Sequence, residues 1–155
     1  MTSTHMQEAA RLALENVTSG HGGPFGAVIV KDGEIIARGA NNVTASNDPT
    51  AHAEVTAIRA AAAKLGRFDL SDCEIYTSCE PCPMCLGAIY WARLQRVHYG
   101  CTQADADAIG FSDQFIYQEL DKPKAERALP MLPEGREESL EAFRAWTHST
   151  EKIEY

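Results

Sequence analysis

No stretch of this sequence approaches the roughly 18 consecutive apolar residues that a membrane-spanning helix requires, so a membrane protein is not expected. Basic charge is also scarce. Fourteen Lys and Arg stand against 22 Asp and Glu, a formal net charge of -8, and beyond the near neighbours Arg93 and Arg96 the basic residues do not gather. Such a balance repels a polyanion unless a basic track is built locally, so a small neutral substrate fits the chain better than a nucleic acid. The opening residues MTSTHMQEAARLALENV lack the basic start and solid apolar stretch of a secretory signal. The cysteines number five, an odd count without an export signal, which argues against a disulfide framework and for reduced thiols in the cytoplasm. At 155 residues the chain suits one domain with one core.

What is present is a mixture of helical and strand patterns. Leu12, Leu14 and Val17, with Ala9, Ala10 and Ala13, give an amphipathic helix over about Thr4 to Val17, ended by Gly20, Gly22, Gly23 and Pro24. Strands follow at Phe25 to Lys31 and Glu34 to Ala40, joined by the hairpin signal Asp32-Gly33. GAVIV is almost wholly apolar, as a central strand requires. After a polar loop from Asn41 to Thr50, a helix runs from about Ala51 to Gly66. A strand at Cys73 to Thr77, a helix at Pro83 to Ala92 and a strand at Val97 to Gly100 come next. Further on, the pattern gives a short helix at Asp113 to Leu120, Met131-Leu132 as a short strand or a loop, and a helix at Glu137 to Trp146. A hairpin followed by alternating strands and helices implies a mixed sheet covered by helices.

Two motifs carry chemistry: His52-Ala53-Glu54 and Pro81-Cys82-Pro83-Met84-Cys85. Cysteines three apart at a helix start can both face one ion, and their thiolates gain from the positive end of the helix dipole. Two thiolates and an imidazole suit zinc. One zinc per chain on His52, Cys82 and Cys85 would keep a fourth position for water, whose pKa zinc can bring to roughly 7. Glu54, two residues from His52, can turn into the same cleft and move protons without ligating the metal. Each part has an ordinary reading when taken alone. Glu54 could be a first-turn acid complementing the helix dipole, His52 a surface or capping residue, and Cys82-x-x-Cys85 a redox pair. Cys79, Cys82 and Cys85 imitate the start of an iron–sulfur run, but position 89 is Ile where a fourth cysteine would stand. Cys79 could also complete a structural zinc site. The joint occurrence of both motifs at helix starts favours catalysis. Cys73 and Cys101 read as buried thiols associated with strands.

His-x-Glu followed by Pro-Cys-x-x-Cys resembles the signature of the cytidine deaminase-like superfamily. The longer stretches GGPFGAVIVKDG, NNVTASNDPTAHAEVTAIRAA and YTSCEPCPMCLGAIYWARLQRVHYG resemble the small zinc-dependent guanine deaminases of bacteria. The likeness extends through FSDQFIYQELDKP to the terminal KIEY. It implies an α/β fold, a three-layer helix–sheet–helix sandwich with a five-stranded mixed sheet, and hydrolysis of guanine to xanthine and ammonia. Glu54 would protonate the ring nitrogen beside the amino-bearing carbon and then the leaving amine. The family's pocket positions fall on Phe25, Asn41, Ala53, Trp91, Asp113 and Tyr155, with Asp113 also able to assist proton transfer. The resemblance further implies one deaminase domain over residues 1–155, in which 137–155 form a helix and tail able to close an active site. It implies a homodimer too, with C-terminal segments that could be exchanged.

Ordinary alternatives stand beside these roles. Asn41 could only shape its loop, Phe25 and Trp91 could be core, Asp113 could cap the helix that follows, and the tail could be a disordered polar end. Asp105 and Asp107 read as a solvated face. Other deaminations of the superfamily remain as alternatives: guanosine, cytosine, an aminotriazine or tRNA adenosine. The last needs a basic track that the acidic balance opposes. A non-catalytic zinc-stabilised binding domain is the reading from another class, and it would have no use for Glu54.

Overall fold

Asp32 and Gly33 both adopt positive φ, 51° and 78°. A type I′ hairpin requires this of its two central residues. In the computed structural model, which describes every residue from Met1 to Tyr155, they join β1 (Gly26–Lys31) to β2 (Glu34–Ala40), with Lys31 opposite Glu34. β3 (Cys73–Cys79) pairs antiparallel with β1, and β4 (Arg96–Cys101) pairs parallel with β3. The sheet is mixed, in the order β2-β1-β3-β4. β1 lies between two partners and its GAVIV stretch is buried, as its continuous apolar sequence demands.

The sheet has four strands, not the expected five. Met131 and Leu132 are exposed and belong to no strand. Pro130 and Pro133 on either side lack the N–H that a ladder needs, which leaves too short a segment to pair.

Helices cover both faces of the sheet. α1 (Thr4–Thr18) lies on one, and α3 (Ala53–Leu65) with α4 (Pro83–Trp91) on the other. Bare backbone shows how closely they approach. A Cβ on Gly26 would stand 2.4 Å from the Ala9 carbonyl oxygen, and one on Gly39 would stand 2.3 Å from that of Ala53. Gly39 lies opposite Ala27 in register, and neighbouring strand residues face opposite ways, so α1 and α3 flank the sheet. Ala27, Ile29, Ala37 and Ile75 meet Ala53, Ala57 and Ile89 in the core.

Four local features depart from the sequence reading. In α1 the buried residues are Ala9, Ala13 and Asn16, while Leu14 and Val17 are exposed. The polar loop contains one helical turn, α2 (Val43–Ser46). An unexpected α5 (Gln103–Ala108) starts at a capping box in which Thr102 and Asp105 satisfy each other's backbone N–H, which gives Asp105 a structural task. Cys101 is exposed rather than buried, whereas Cys73 is buried as expected.

The chain forms two compact units, Met1–Tyr117 and Gln118–Tyr155. The first holds the sheet, α1 to α5 and the start of α6 (Asp113–Asp121). The second holds the rest of α6, a 3-10 turn at Lys124–Glu126 and α7 (Arg136–His148). None of the second unit's residues is buried. Polar bonds organise its first part: the Arg127 Nε–H donates to the Glu119 carbonyl (3.0 Å), and the Ala128 N–H donates to the Glu119 carboxylate (2.7 Å). No helix in the chain is long and apolar enough to cross a membrane.

Candidate active site

Two helix starts bring the motif residues together. His52 is the N-cap of α3, with Glu54 in the first turn behind it. Cys82 is the N-cap of α4, Pro83 follows at the position where its missing N–H costs nothing, and Cys85 sits in the first turn. The Cys85 N–H donates to the Cys82 sulfur at 3.5 Å, so this thiol does the work that Ser or Asp usually does at a cap.

His52 Nδ1 lies 3.5 Å from Cys82 Sγ and 3.5 Å from Cys85 Sγ. Tetrahedral zinc bonds of about 2.3 Å to sulfur and 2.0–2.1 Å to nitrogen set an N···S separation of about 3.6 Å. The side chains therefore already hold the spacing that zinc imposes, and all three ligand atoms lie within 4.8 Å of one another. Cys79 does not complete a structural four-ligand set, because its thiol turns to the Thr102 carbonyl at 3.7 Å. The cluster leaves room for a non-protein ligand, as a catalytic site does.

Electrostatics at the cluster are strongly coupled. The Cys82 thiol is shifted well below its ordinary range, first by the hydrogen bond from Cys85 and then by His52. The same bond, together with burial, pushes Cys85 up. His52 is raised, chiefly through its hydrogen bond with Cys82. Two thiols and an imidazole in contact share protons that a cation would displace.

A pocket of about 380 Å³, its open mouth included, lies against the cluster. Phe25, Asn41, His52, Glu54, Cys82 and Asp113 line it. Glu54 is only 6% exposed, and burial pushes its carboxyl up. Asn41 is buried at the end of β2, where its N–H donates to the Phe25 carbonyl (3.1 Å) and its Oδ1 accepts from the Val43 N–H (3.3 Å). It therefore shapes the loop and faces the pocket as well. Asp113 is the first residue inside α6 rather than a cap before it, and burial raises its carboxyl, with the Cys82 charge adding to the effect.

Other expected positions fall elsewhere. Ala53 is fully buried in the core behind His52 and is not part of the pocket lining. Trp91 ends α4 at 67% exposure, so it is neither core nor a wall of this pocket. The reason is position: it follows Cys85 by six residues, which is nearly two turns along the axis from the cluster. Tyr155 lies in the second unit and is exposed.

The pocket also holds residues that the sequence reading passed over. Phe111 meets Phe25 edge-on, with ring centroids 4.8 Å apart and planes at 85°. Glu80 fastens the start of α5 by accepting from the Gln103 N–H at 2.9 Å. An aromatic two residues before a candidate acid was the available signal for Phe111.

Residues 1–101 match the family described as the cytidine and deoxycytidylate deaminase zinc-binding region. The chain is 59% identical over 152 residues to a guanine deaminase of Bacillus subtilis, a match that covers 98% of this chain and 97% of that protein. The crystal structure of the Bacillus subtilis guanine deaminase superposes with a TM-score of 0.95 at 58% identity, covering 100% of this chain and 99% of that one. A guanine deaminase structure from Nitrosomonas europaea is similar at a TM-score of 0.68 and 31% identity, over 92% of this chain and 74% of that one. A tRNA-specific adenosine deaminase of Agrobacterium fabrum is 38% identical over 115 residues, 74% of this chain and 76% of that protein. With its two helix-start motifs, a His/Cys/Cys cluster suited to zinc and this extent of likeness, the chain belongs to the cytidine and deoxycytidylate deaminase family of zinc-binding hydrolytic enzymes.

Proposed function

We propose that this chain hydrolyses guanine to xanthine and ammonia at a zinc held by His52 Nδ1, Cys82 and Cys85. The observation that carries the reading is a single pocket in which the buried Glu54 carboxyl stands beside the ligand cluster while Asn41 and Asp113 supply polar groups. Zinc, when bound, supplies Lewis-acid activation of water.

The side chains account for the remaining chemistry. Glu54 takes one proton from the attacking water and gives it to the ring nitrogen beside the amino-bearing carbon; it then takes the second proton from the added hydroxyl, as that becomes the carbonyl, and gives it to the departing amine. Water and guanine thus leave as xanthine and ammonia, with atoms and charge balanced. Burial keeps competing water away from this carboxyl. The Asn41 amide can both donate and accept along a purine edge. Asp113 accepts from a purine N–H. Phe25 and Phe111 offer an aromatic corner for a flat ring. The acidic balance and five free cysteines support a small neutral substrate and a cytoplasmic setting.

Ammonia release from guanine, guanosine, cytosine, adenine, ammeline and a tRNA anticodon stem tests the assignment. Guanine is expected to give xanthine, while adenine and the tRNA stem give little product. Efficient inosine formation in the stem would replace this reading with tRNA adenosine deamination, and no ammonia from any substrate would favour a binding domain.

We also propose that residues 137–155 belong to the same deaminase domain and close over a catalytic pocket within a homodimer. Support comes from the second unit itself. It buries no residue, yet α7 carries Phe143 and Trp146 on its surface, and the tail adds Ile153 and Tyr155. An amphipathic helix of this kind needs a surface to cover its apolar stripe. A closing segment would exclude water and let Tyr155 touch the substrate. Removing Ile153 to Tyr155 is expected to lower turnover strongly while zinc content and the melting curve stay unchanged. Full activity in the shortened protein would remove Tyr155 from the site, and a monomer by light scattering would exclude donation across a dimer.

A further inference from the structure

Asp113 opens α6, and α6 buries none of its residues. Beyond the Phe111–Phe25 contact just before it, apolar packing therefore does little to fix where its first turn stands relative to the metal-binding turn. Tyr117 lies four residues further on, and side chains so spaced share one face of a helix. Its phenol donates a 2.6 Å hydrogen bond to the Pro81 carbonyl. Pro81 is buried and immediately precedes Cys82, the cap of α4. Its carbonyl lies before the helix, outside the ladder whose first acceptor is the cap residue's own carbonyl. A part-buried carbonyl in that place is left without an intrahelical partner, and the phenol provides one.

The bond joins the two parts of the site that must keep a fixed separation. On one side are Cys82 and Cys85; on the other is Asp113, one turn back from Tyr117. We propose that Tyr117 is a positioning residue, whose bond to Pro81 latches α6 to the metal-binding turn and so sets where the Asp113 carboxyl meets the substrate. This inference rests on Asp113 being a substrate contact, as proposed above.

The test compares the zinc-loaded wild type with Tyr117→Phe, Asp113→Asn and the double variant, each assayed on guanine with zinc content and melting measured in parallel. Tyr117→Phe keeps the ring and removes only the donor. It is expected to retain zinc and to lose about 10- to 100-fold in kcat/KM, the scale of a misplacement near 1 Å. Its division between KM and kcat should repeat, in milder form, that of Asp113→Asn. In the Asp113→Asn background the Phe substitution should cost nothing more, because the carboxyl it positions has gone.

Losses that multiply in the double variant would overturn the latch, as would zinc loss in Tyr117→Phe in proportion to lost activity. A defect in Asp113→Asn with none in Tyr117→Phe would overturn the latch alone. Wild-type turnover in Asp113→Asn would overturn both the latch and the assignment of Asp113.

Discussion

Replacing Glu54 by Gln is expected to leave the zinc in place and to lower kcat by about 10²- to 10⁴-fold, the usual worth of a positioned proton carrier. The geometry separates the two effects. Nδ1 of His52 and the two thiols form the ligand cluster, and Glu54 is outside it. Gln matches Glu in shape, so a side chain only 6% exposed is replaced without opening a cavity or forcing a new rotamer. What disappears is the capacity to accept a proton from water and hand it on. Zinc content by a chelator assay and ammonia release from guanine should therefore part company in this variant. If Glu54→Gln purifies empty of metal, Glu54 is a ligand and its assignment as a proton carrier is wrong.

The helix-start motifs were legible because their spacing is chemical. Cysteines three apart must share a face if a helix begins at the first, and a proline just after Cys82 marks that beginning. Asp32-Gly33 and GAVIV were legible for a similar reason, since each satisfies a local backbone or burial requirement that few other arrangements meet. Elements held by non-local or unusual contacts were harder to read. α5 is six residues long and has one buried residue, Ala106, so no apolar period announced it, and only Thr102 and Asp105 marked its start. The expected fifth strand rested on family likeness alone, and Met131-Leu132 between two prolines could not supply it. Trp91 stands in a matching stretch, but it ends α4 exposed, away from the pocket that Cys82 lines. Conversely, Tyr117 has no motif of its own. Its relation to Pro81 spans 36 residues and exists only once α6 is placed.

Replacing Cys82 by Ser should abolish both zinc binding and turnover while leaving the fold intact. The position makes this substitution unusually clean. Cys82 caps α4 by accepting from the Cys85 N–H, and Ser is among the residues best suited to a helix cap. Helix α4 therefore keeps its start, and with it the core contact of Ile89 beneath the sheet. The lost function is that of a thiolate, because a serine hydroxyl does not ionise near neutral pH and is a poor match for zinc. The drop in zinc affinity should exceed the roughly 10- to 100-fold that removal of an outer partner of a ligand costs. Cys85→Ser should lose zinc as well, but it also places a hydroxyl at a fully buried position inside α4 that makes no cap bond, so a larger loss of folding stability is expected there than at Cys82. Melting with and without added zinc distinguishes the effects. A ligand that binds only the folded state raises the wild-type Tm by mass action, whereas Cys82→Ser should melt where metal-free wild type does and ignore the added ion. A full zinc complement with wild-type turnover in Cys82→Ser would remove Cys82 from the metal site and undo the His/Cys/Cys assignment.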